Sequence, residues 1–292
     1  MKLSIITINY NNLSGLCKTV ESVFAQTCRD FEYIIIDGAS TDGSKEYLDS
    51  IKVNNVADKA NTDNKLQITN YKLQIISEPD AGIYNAMNKG IRVSHGDYLL
   101  MLNSGDYLVD SYVVEHILPE LDGTDIIQGN TISDYSDGVY RNRGYGKSDI
   151  DFIDVMDGHF LHQASFIRRD LHQRYGLYDD TYRKSADTFF YWKTLGFGNA
   201  SFRYIDLDIA NFDLNGITNN PIWQQIDKEE YKRWYRENFP IRLLHLYKDA
   251  PKKITLYDTL HQNKFIWKCA MLLVVVAKRL YPNKQNARER MR

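Results

Sequence analysis

Three short apolar runs, each closed by a cluster of Asn, Asp and Ser, constrain this chain more than any other feature. Leu3 to Ile8 leads into Asn9-Tyr10-Asn11-Asn12, Phe31 to Ile36 into Asp37-Gly38-Ala39-Ser40-Thr41-Asp42-Gly43-Ser44, and Tyr98 to Leu102 into Asn103-Ser104-Gly105-Asp106. Ile- and Leu-rich runs of this length, with few polar interruptions, are buried on both faces, as strands of a parallel sheet are. Helical spacing fills the gaps: Leu16, Val20, Val23 and Phe24 follow the first run, and a second helical stretch covers 45–51. Strand-helix-strand-helix order predicts an α/β fold, with a mainly parallel sheet flanked by helices and right-handed crossovers.

The same reading places a strand over 73–76, a helix over 82–93, a helix over 110–121 and a strand over 125–128. Residues 52–71 are Asn-, Asp- and Lys-rich, and Lys-Leu-Gln-Ile occurs at 65–68 and again at 72–75, which marks an inserted surface loop. Gly, Asp and Tyr content over 131–146 suggests a hairpin or mobile loop. Beyond it come a strand over 160–167, a helix over 185–195, a strand over 202–206 and a helix over 223–238.

A chain of 292 residues suits one catalytic-sized domain, placed at 1–220, followed by a helical, basic extension over 221–292. With 43% hydrophobic and 25% charged residues it is no disordered, collagen-like or multi-span membrane chain. Net charge is only −2, so no nucleic-acid partner is expected, yet the extension holds 16 basic against 7 acidic residues and the remainder 20 against 31. Such an end suits an anionic surface. The cysteines, Cys17, Cys28 and Cys269, form no C-x-x-C pair or zinc-spaced set and read as small buried hydrophobes. The opening apolar run is too short for a secretory signal, so a cytoplasmic location is expected.

In an open parallel sheet, ligands bind beyond the carboxyl ends of the strands. Asp37 directly follows Ile34-Ile35-Ile36, so its carboxylate is expected to emerge from the sheet core toward a ligand. Asp42 has two readings of equal weight, a ligand contact or the cap of the next helix. Asp106 follows Leu99-Leu100-Met101-Leu102 in the same way. A carboxylate beside amide oxygens suits Mg²⁺ or Mn²⁺ carrying a diphosphate, with a plain Ser-Gly-Asp turn as the alternative. Other chemistries fall away: no G-x-G-x-x-G follows a strand, Gly146-Lys147-Ser148 lacks the upstream glycine of a P-loop, and neither G-x-S-x-G nor H-E-x-x-H occurs.

Four runs in order carry a resemblance: Ser4 to Asn12, Ile36 to Ser44, Ser77-Glu78-Pro79-Asp80-Ala81-Gly82-Ile83-Tyr84-Asn85-Ala86-Met87-Asn88-Lys89-Gly90-Ile91, and Gly96 to Asp106. His162-Gln163-Ala164-Ser165-Phe166 and Ala186-Asp187-Thr188-Phe189-Phe190 add looser support. Together they resemble the family-two glycosyltransferases of bacterial polysaccharide synthesis. The resemblance implies a GT-A fold with a Rossmann-like sheet, a nucleotide-sugar half over 1–110 and an acceptor half over 111–220. It further implies a UDP- or dTDP-sugar donor, a divalent metal (Mn or Mg) and inversion at the anomeric carbon. By the same resemblance Thr7, Asn9, Tyr10 and Asn11 line the nucleoside pocket and Asp37 accepts a hydrogen bond from the base. Asp42, Asp80, Asn88, Lys89 and Asn103 then lie near the donor, Asp106 ligates the metal, and His162 and Gln163 face the acceptor or a phosphate. Asp187 matches the family's catalytic aspartate and has Phe189, Phe190 and Trp192 beside it.

Each assignment has its structural alternative: a helix-dipole aspartate for Asp187, a solvated helix face for Lys89, a hydrogen-bonded structural ring for His162. Two features depart from the family's pattern. Its metal motif usually reads Asp-x-Asp-Asp or a near variant, where this chain has Asn103, Ser104, Gly105 and Asp106, and Met87 stands where many relatives carry Arg.

The expected activity is sugar transfer to a hydroxyl of a saccharide or lipid-linked saccharide acceptor. The thinned metal motif keeps open a catalytically weakened nucleotide-sugar-binding or scaffold protein of the same fold. In the extension, Lys264, Lys268, Lys278 and Arg279 fall on one arc of a helix over 264–279, and the apolar run Cys269 to Ala277 is too short to cross a bilayer. Two readings stand for 264–292: contact with the inner face of the cell membrane, or packing of the apolar side on the catalytic domain.

Overall fold

The computed structural model describes residues 1–57, 72–158, 160–214, 221–238 and 288–290. β1 (Leu3–Asn9), α1 (Leu13–Phe24), β2 (Phe31–Asp37), α2 (Ser44–Ala57), β3 (Lys72–Ser77), α3 (Ile83–Val93) and β4 (Tyr98–Met101) follow in sequence, with the strands parallel in the order β3-β2-β1-β4. β1, β2 and β4 are buried along their length because helices cover both faces, whereas β3 on the flank is partly exposed. Register sets Asn9 beside Asp37 and Asp37 beside Ser77, so these polar strand ends come level. α1 buries Leu16, Val20 and Val23, and Asn12 caps it by accepting from the Gly15 N–H at 3.1 Å. On α3, a Cβ at Gly90 would stand 2.5 Å from Ile6 Cγ2, so only glycine lets this helix approach the sheet so closely.

The second half adds β5 (Tyr107–Leu108), α4 (Val113–Ile117), β6 (Ile126–Tyr135), β7 (Gly138–Asn142), α5 (Phe152–Asp157), β8 (Ser165–Arg168), α6 (Arg169–Tyr175), α7 (Ala186–Tyr191), β9 (Phe202–Asn211), α8 (Pro221–Asn238) and β10 (Arg288–Arg290). Here the sheet is mixed. β8 runs antiparallel to β4 and β6, β6 and β7 form a hairpin, and β9 lies parallel to β6 before pairing with β5. β10 borders β7. The α/β layering is as expected, with a parallel half extended by a mixed one.

Several elements differ from the sequence expectations. α2 continues to Ala57, into the stretch read as loop, and 58–71 lie outside the described residues. The helix over 110–121 is shortened to α4 and a 3₁₀ turn at Leu118–Glu120, where Pro119 has no N–H to donate. The strand over 160–167 begins only at Ser165, because His162–Ala164 forms a 3₁₀ turn, and α7 gives way to a π turn at Trp192–Gly196. β9 outruns its expected end because β6 and β5 both offer it backbone partners. The chain divides into two compact units, Met1–Asp227 with Ala287–Arg292, and Lys228–Asn286, against the expected boundary after 220. The helix expected over 264–279 lies outside the described residues. Among those described, no helix is long and apolar enough to cross a membrane.

Candidate active site

Side chains tie the carboxyl ends of β1, β2 and β4 together. Buried Asn9 donates through Nδ2 to Asp37 Oδ1 (2.9 Å) and to Ser40 Oγ (3.2 Å), while its Oδ1 accepts from the Ser104 hydroxyl (2.7 Å). Asp37 Oδ1 also accepts from the Ser40 hydroxyl (2.6 Å), and Oδ2 from the Ser40 N–H (3.1 Å) and the Ser77 hydroxyl (2.7 Å). Burial opposes the charge, but hydrogen bonds from Ser40, Asn9 and Ser77 outweigh it and hold the carboxyl below the usual aspartate range. Asp37 therefore has no exposed surface to offer a base; it knots the loops after β1, β2 and β3. Asn11 joins the knot by donating its N–H to Ser40 Oγ (2.8 Å) and accepting from the Thr41 N–H (2.8 Å). Asn11 (φ 49°) and Ala39 (φ 59°) both adopt the left-handed conformation there.

Other expected donor residues are also held by the protein itself. Thr7 is buried, with Oγ1 3.0 Å from the Tyr33 hydroxyl. Asp42 accepts from the Leu13 N–H (2.7 Å) and from the N–H and hydroxyl of Ser44 (3.1 and 2.6 Å), the capping alternative. Asn88 is buried and clamps the Tyr178 backbone through both amide atoms, at 2.8 and 3.0 Å. Lys89 pairs with Glu78 (2.9 Å) and donates to the Pro79 carbonyl (2.7 Å), bracing the loop after β3. The Tyr10 ring is 67% exposed at this edge and Asp80 is half-buried beside it. A Cβ at Gly38 would come within 2.5 Å of Asp80 Oδ2 and 3.0 Å of Tyr10 Cδ2, so the bare glycine gives both side chains their place.

Asp106 is 5% exposed, and its Oδ1 accepts from the Asp213 N–H (2.9 Å), while the Asp213 carboxylate packs over Gly105. Burial dominates, the single hydrogen bond offsets little of it, and the Asp213 charge adds to it, so the Asp106 carboxyl is pushed up to about 7. No Lys or Arg among the described residues pairs with Asp106, and no three His, Cys, Asp or Glu residues gather into a cage there. A buried carboxylate lacking a cationic partner, beside a second carboxylate, fits a Mg²⁺ or Mn²⁺ ion that keeps waters and arrives on a diphosphate. Asp106 and Asp213 are the residues that would hold it.

Asp187 lies in the first turn of α7, and side chains from two other segments reach it. Tyr84 of α3 donates to Asp187 Oδ1 (2.8 Å), sharing its one proton with the Lys184 carbonyl. His162 Nδ1 is 3.5 Å from Asp187 Oδ2, and on the far side of the ring Nε2 is 3.2 Å from Asn103 Nδ2. Asn103 belongs to the loop after β4, so this histidine links that loop to α7. Burial pushes the imidazole down against the pull of Asp187, which keeps it neutral. The side chains of Asp187 and His162 retain 20% and 23% exposure, enough for a bound hydroxyl to reach them. Gln163, by contrast, is buried in the 3₁₀ turn. Asp227 pins the start of α7 by accepting from the Ser185 hydroxyl (2.5 Å) and pairing with Lys184 (3.5 Å).

Sequence reasoning missed Ser40, Ser77, Tyr84, Ser104 and Asp213. The first four stand inside the motif runs, where a hydroxyl next to a strand-end carboxylate or amide is the available signal. Asp213 has no local signal, because only the pairing of β9 with β5 brings it to Asp106.

A parallel half-sheet extended by a mixed one and flanked by helices is an α/β arrangement of GT-A type. The chain matches the model of glycosyl transferase family 2 over residues 4–179 and belongs to that family. It is 29% identical over 236 residues to a PGL/p-HBAD biosynthesis glycosyltransferase of Mycobacterium bovis, spanning 79% of this chain and 82% of that one. To an uncharacterized glycosyltransferase of Mycobacterium tuberculosis it is 32% identical over 192 residues, 63% of this chain and 65% of the relative. Staphylococcus aureus TarS 1–349 superposes with a TM-score of 0.58 at 16% identity, over 82% of this chain and 73% of that one. A mannosyltransferase from Pyrobaculum calidifontis, in complex with GDP-Man and Mn²⁺, gives 0.57 at 13% identity over 97% and 88%. These structural likenesses show the shared GT-A-like fold.

Proposed function

We propose that this glycosyltransferase inverts configuration as it moves a sugar from a UDP- or dTDP-sugar to a hydroxyl of a saccharide or lipid-linked saccharide. The observation that carries the reading is Asp187, a partly exposed carboxylate held by Tyr84 and linked through His162 to the donor-side loop. Asp187 takes the proton of the acceptor hydroxyl as that oxygen bonds to the anomeric carbon on the face opposite the diphosphate. The bond from that carbon to the diphosphate oxygen breaks, and its electron pair leaves with the nucleoside diphosphate. A divalent ion at Asp106 and Asp213 would neutralise charge on that leaving group. Tyr10 and Asp80 offer the nucleoside a ring face and a hydrogen-bond acceptor. TarS is also known in complex with UDP-GlcNAc, and the Pyrobaculum enzyme with GDP-Man and Mn²⁺, which supports a nucleotide-sugar donor and a divalent metal here.

A panel of nucleotide sugars with Mn²⁺ or Mg²⁺, scored by thermal stabilisation and nucleoside diphosphate release, tests the donor class. One UDP- or dTDP-sugar is expected to stabilise the chain only with metal. Asp187→Asn should cut transfer by roughly 10²- to 10⁴-fold with nucleotide binding intact; undiminished transfer in that variant overturns the reading. The basic stretch 264–292 is assigned to the inner membrane face by its charge, and equal recovery of the full chain on anionic and neutral vesicles would remove that part.

A further inference from the structure

The side-chain series Asn103–His162–Asp187–Tyr84 contains one joint whose protons chemistry must settle. A neutral imidazole has one N–H and one lone pair. Nδ1 faces Asp187 Oδ2 at 3.5 Å, and a bare Nδ1 would set its lone pair against a carboxylate, so the proton belongs there. Nε2 is then an acceptor in need of a donor, and Asn103 Nδ2 at 3.2 Å supplies one. The other atom of that amide, Asn103 Oδ1, is buried without a partner, so the histidine and not the oxygen sets how the amide is turned. The Asn103 carbonyl meanwhile accepts from the Asp106 N–H (3.0 Å), which braces the amide's own backbone in the loop after β4.

We infer that Asn103 is a positioning residue for sugar transfer: by donating to His162 Nε2 it fixes the Nδ1–H tautomer, and that N–H aims Asp187 at the acceptor hydroxyl. The inference rests on Asp187 acting as the base. It explains why a neutral amide suits position 103. A carboxylate there would place negative charge on both sides of the ring and draw a second proton onto it, and the resulting cation would weaken Asp187 as a base.

The test is long-range ¹H–¹⁵N NMR of the full chain near neutral pH, with the His162 signals assigned by their loss in His162→Gln. Wild type is expected to show a single neutral Nδ1–H tautomer, Asn103→Leu a mixture of tautomers, and Asn103→Asp an imidazolium. With the nucleotide sugar selected by the donor panel, Asn103→Leu should lower kcat roughly 10- to 100-fold while KM stays within about threefold, the signature of lost positioning. An Nε2–H tautomer in wild type, or an Asn103→Leu enzyme with unchanged kcat, overturns this inference alone. Transfer that survives Asp187→Asn overturns the base assignment and this role with it, whichever tautomer is seen.

Discussion

Asp37 and Asp106 stand on the same sheet edge and are both buried, yet they are built to opposite specifications. Asp37 accepts from Asn9, Ser77 and twice from Ser40, whereas the Asp106 side chain accepts from the Asp213 backbone alone. Donor supply, not depth, sets the difference: one carboxyl lies below its ordinary range and the other is pushed up to about 7. The first charge is already satisfied by the protein. The second has a single backbone donor.

Removing the satisfied charge should do the most damage. Asp37→Ala strands the donors of Asn9, Ser40 and Ser77 in the interior, for an expected loss of about 3–5 kcal/mol in urea unfolding. A loss below about 1 kcal/mol would show that the knot is not what holds these loops.

Next comes the pH response, where the two residues should have opposite signs. The folded-state pKa of Asp106, about 7, lies above its ordinary 3.8, so its contribution is fully present below about pH 4 and is lost as pH rises toward 7. Its full swing is roughly 4 kcal/mol. The lowered pKa of Asp37 works the other way: its contribution is present above the ordinary value and is lost as pH falls through the folded one. In chelator-treated protein, Asp106→Asn keeps an acceptor for the Asp213 N–H, so its urea midpoints should flatten between about pH 4 and 8 and exceed wild type at the upper end. Identical curves would remove the contrast.

Smaller effects sharpen it. Gly38→Ala pushes a methyl toward Asp80 Oδ2 and Tyr10 Cδ2, and should weaken binding of UDP with Mn²⁺ by about three- to tenfold while costing about 1 kcal/mol or less in stability. Calorimetric titration reads the first and urea unfolding the second. Lys89→Met breaks a pair whose Glu78 is 55% exposed, so stability should fall by less than about 1 kcal/mol. If UDP affinity falls more than about tenfold in that variant, Lys89 touches phosphate after all.

How far the sequence could be read follows from the range of the forces involved. β1, β2 and β4 were legible because burial on both faces leaves an apolar run that needs no context. Asp37, Asp106 and Asp187 stand out in the sequence because each lies after a strand or at a helix start inside a motif. Their environments do not. Whether a strand-end carboxylate faces a ligand or turns inward depends on Ser40, Ser77 and Asn9, which come from three segments. The Asp106–Asp213 pair spans a long stretch of chain and exists only because β9 reaches β5. The 3₁₀ turn at His162–Ala164 was hidden for the same reason: its sequence suits a strand, and the tertiary setting overrides that preference.

The knot of Asn9, Asp37, Ser40 and Ser104 also bears on how such an enzyme can change over time. Because one carboxylate and one amide serve the loops after β1, β2 and β4 at once, a substitution in any of them alters the background against which the others are judged. Effects at these positions should be strongly non-additive, whereas Tyr10 and Asp80 lie outside the knot. Drift toward a new nucleotide would then begin at those residues, with the knot inherited as a block.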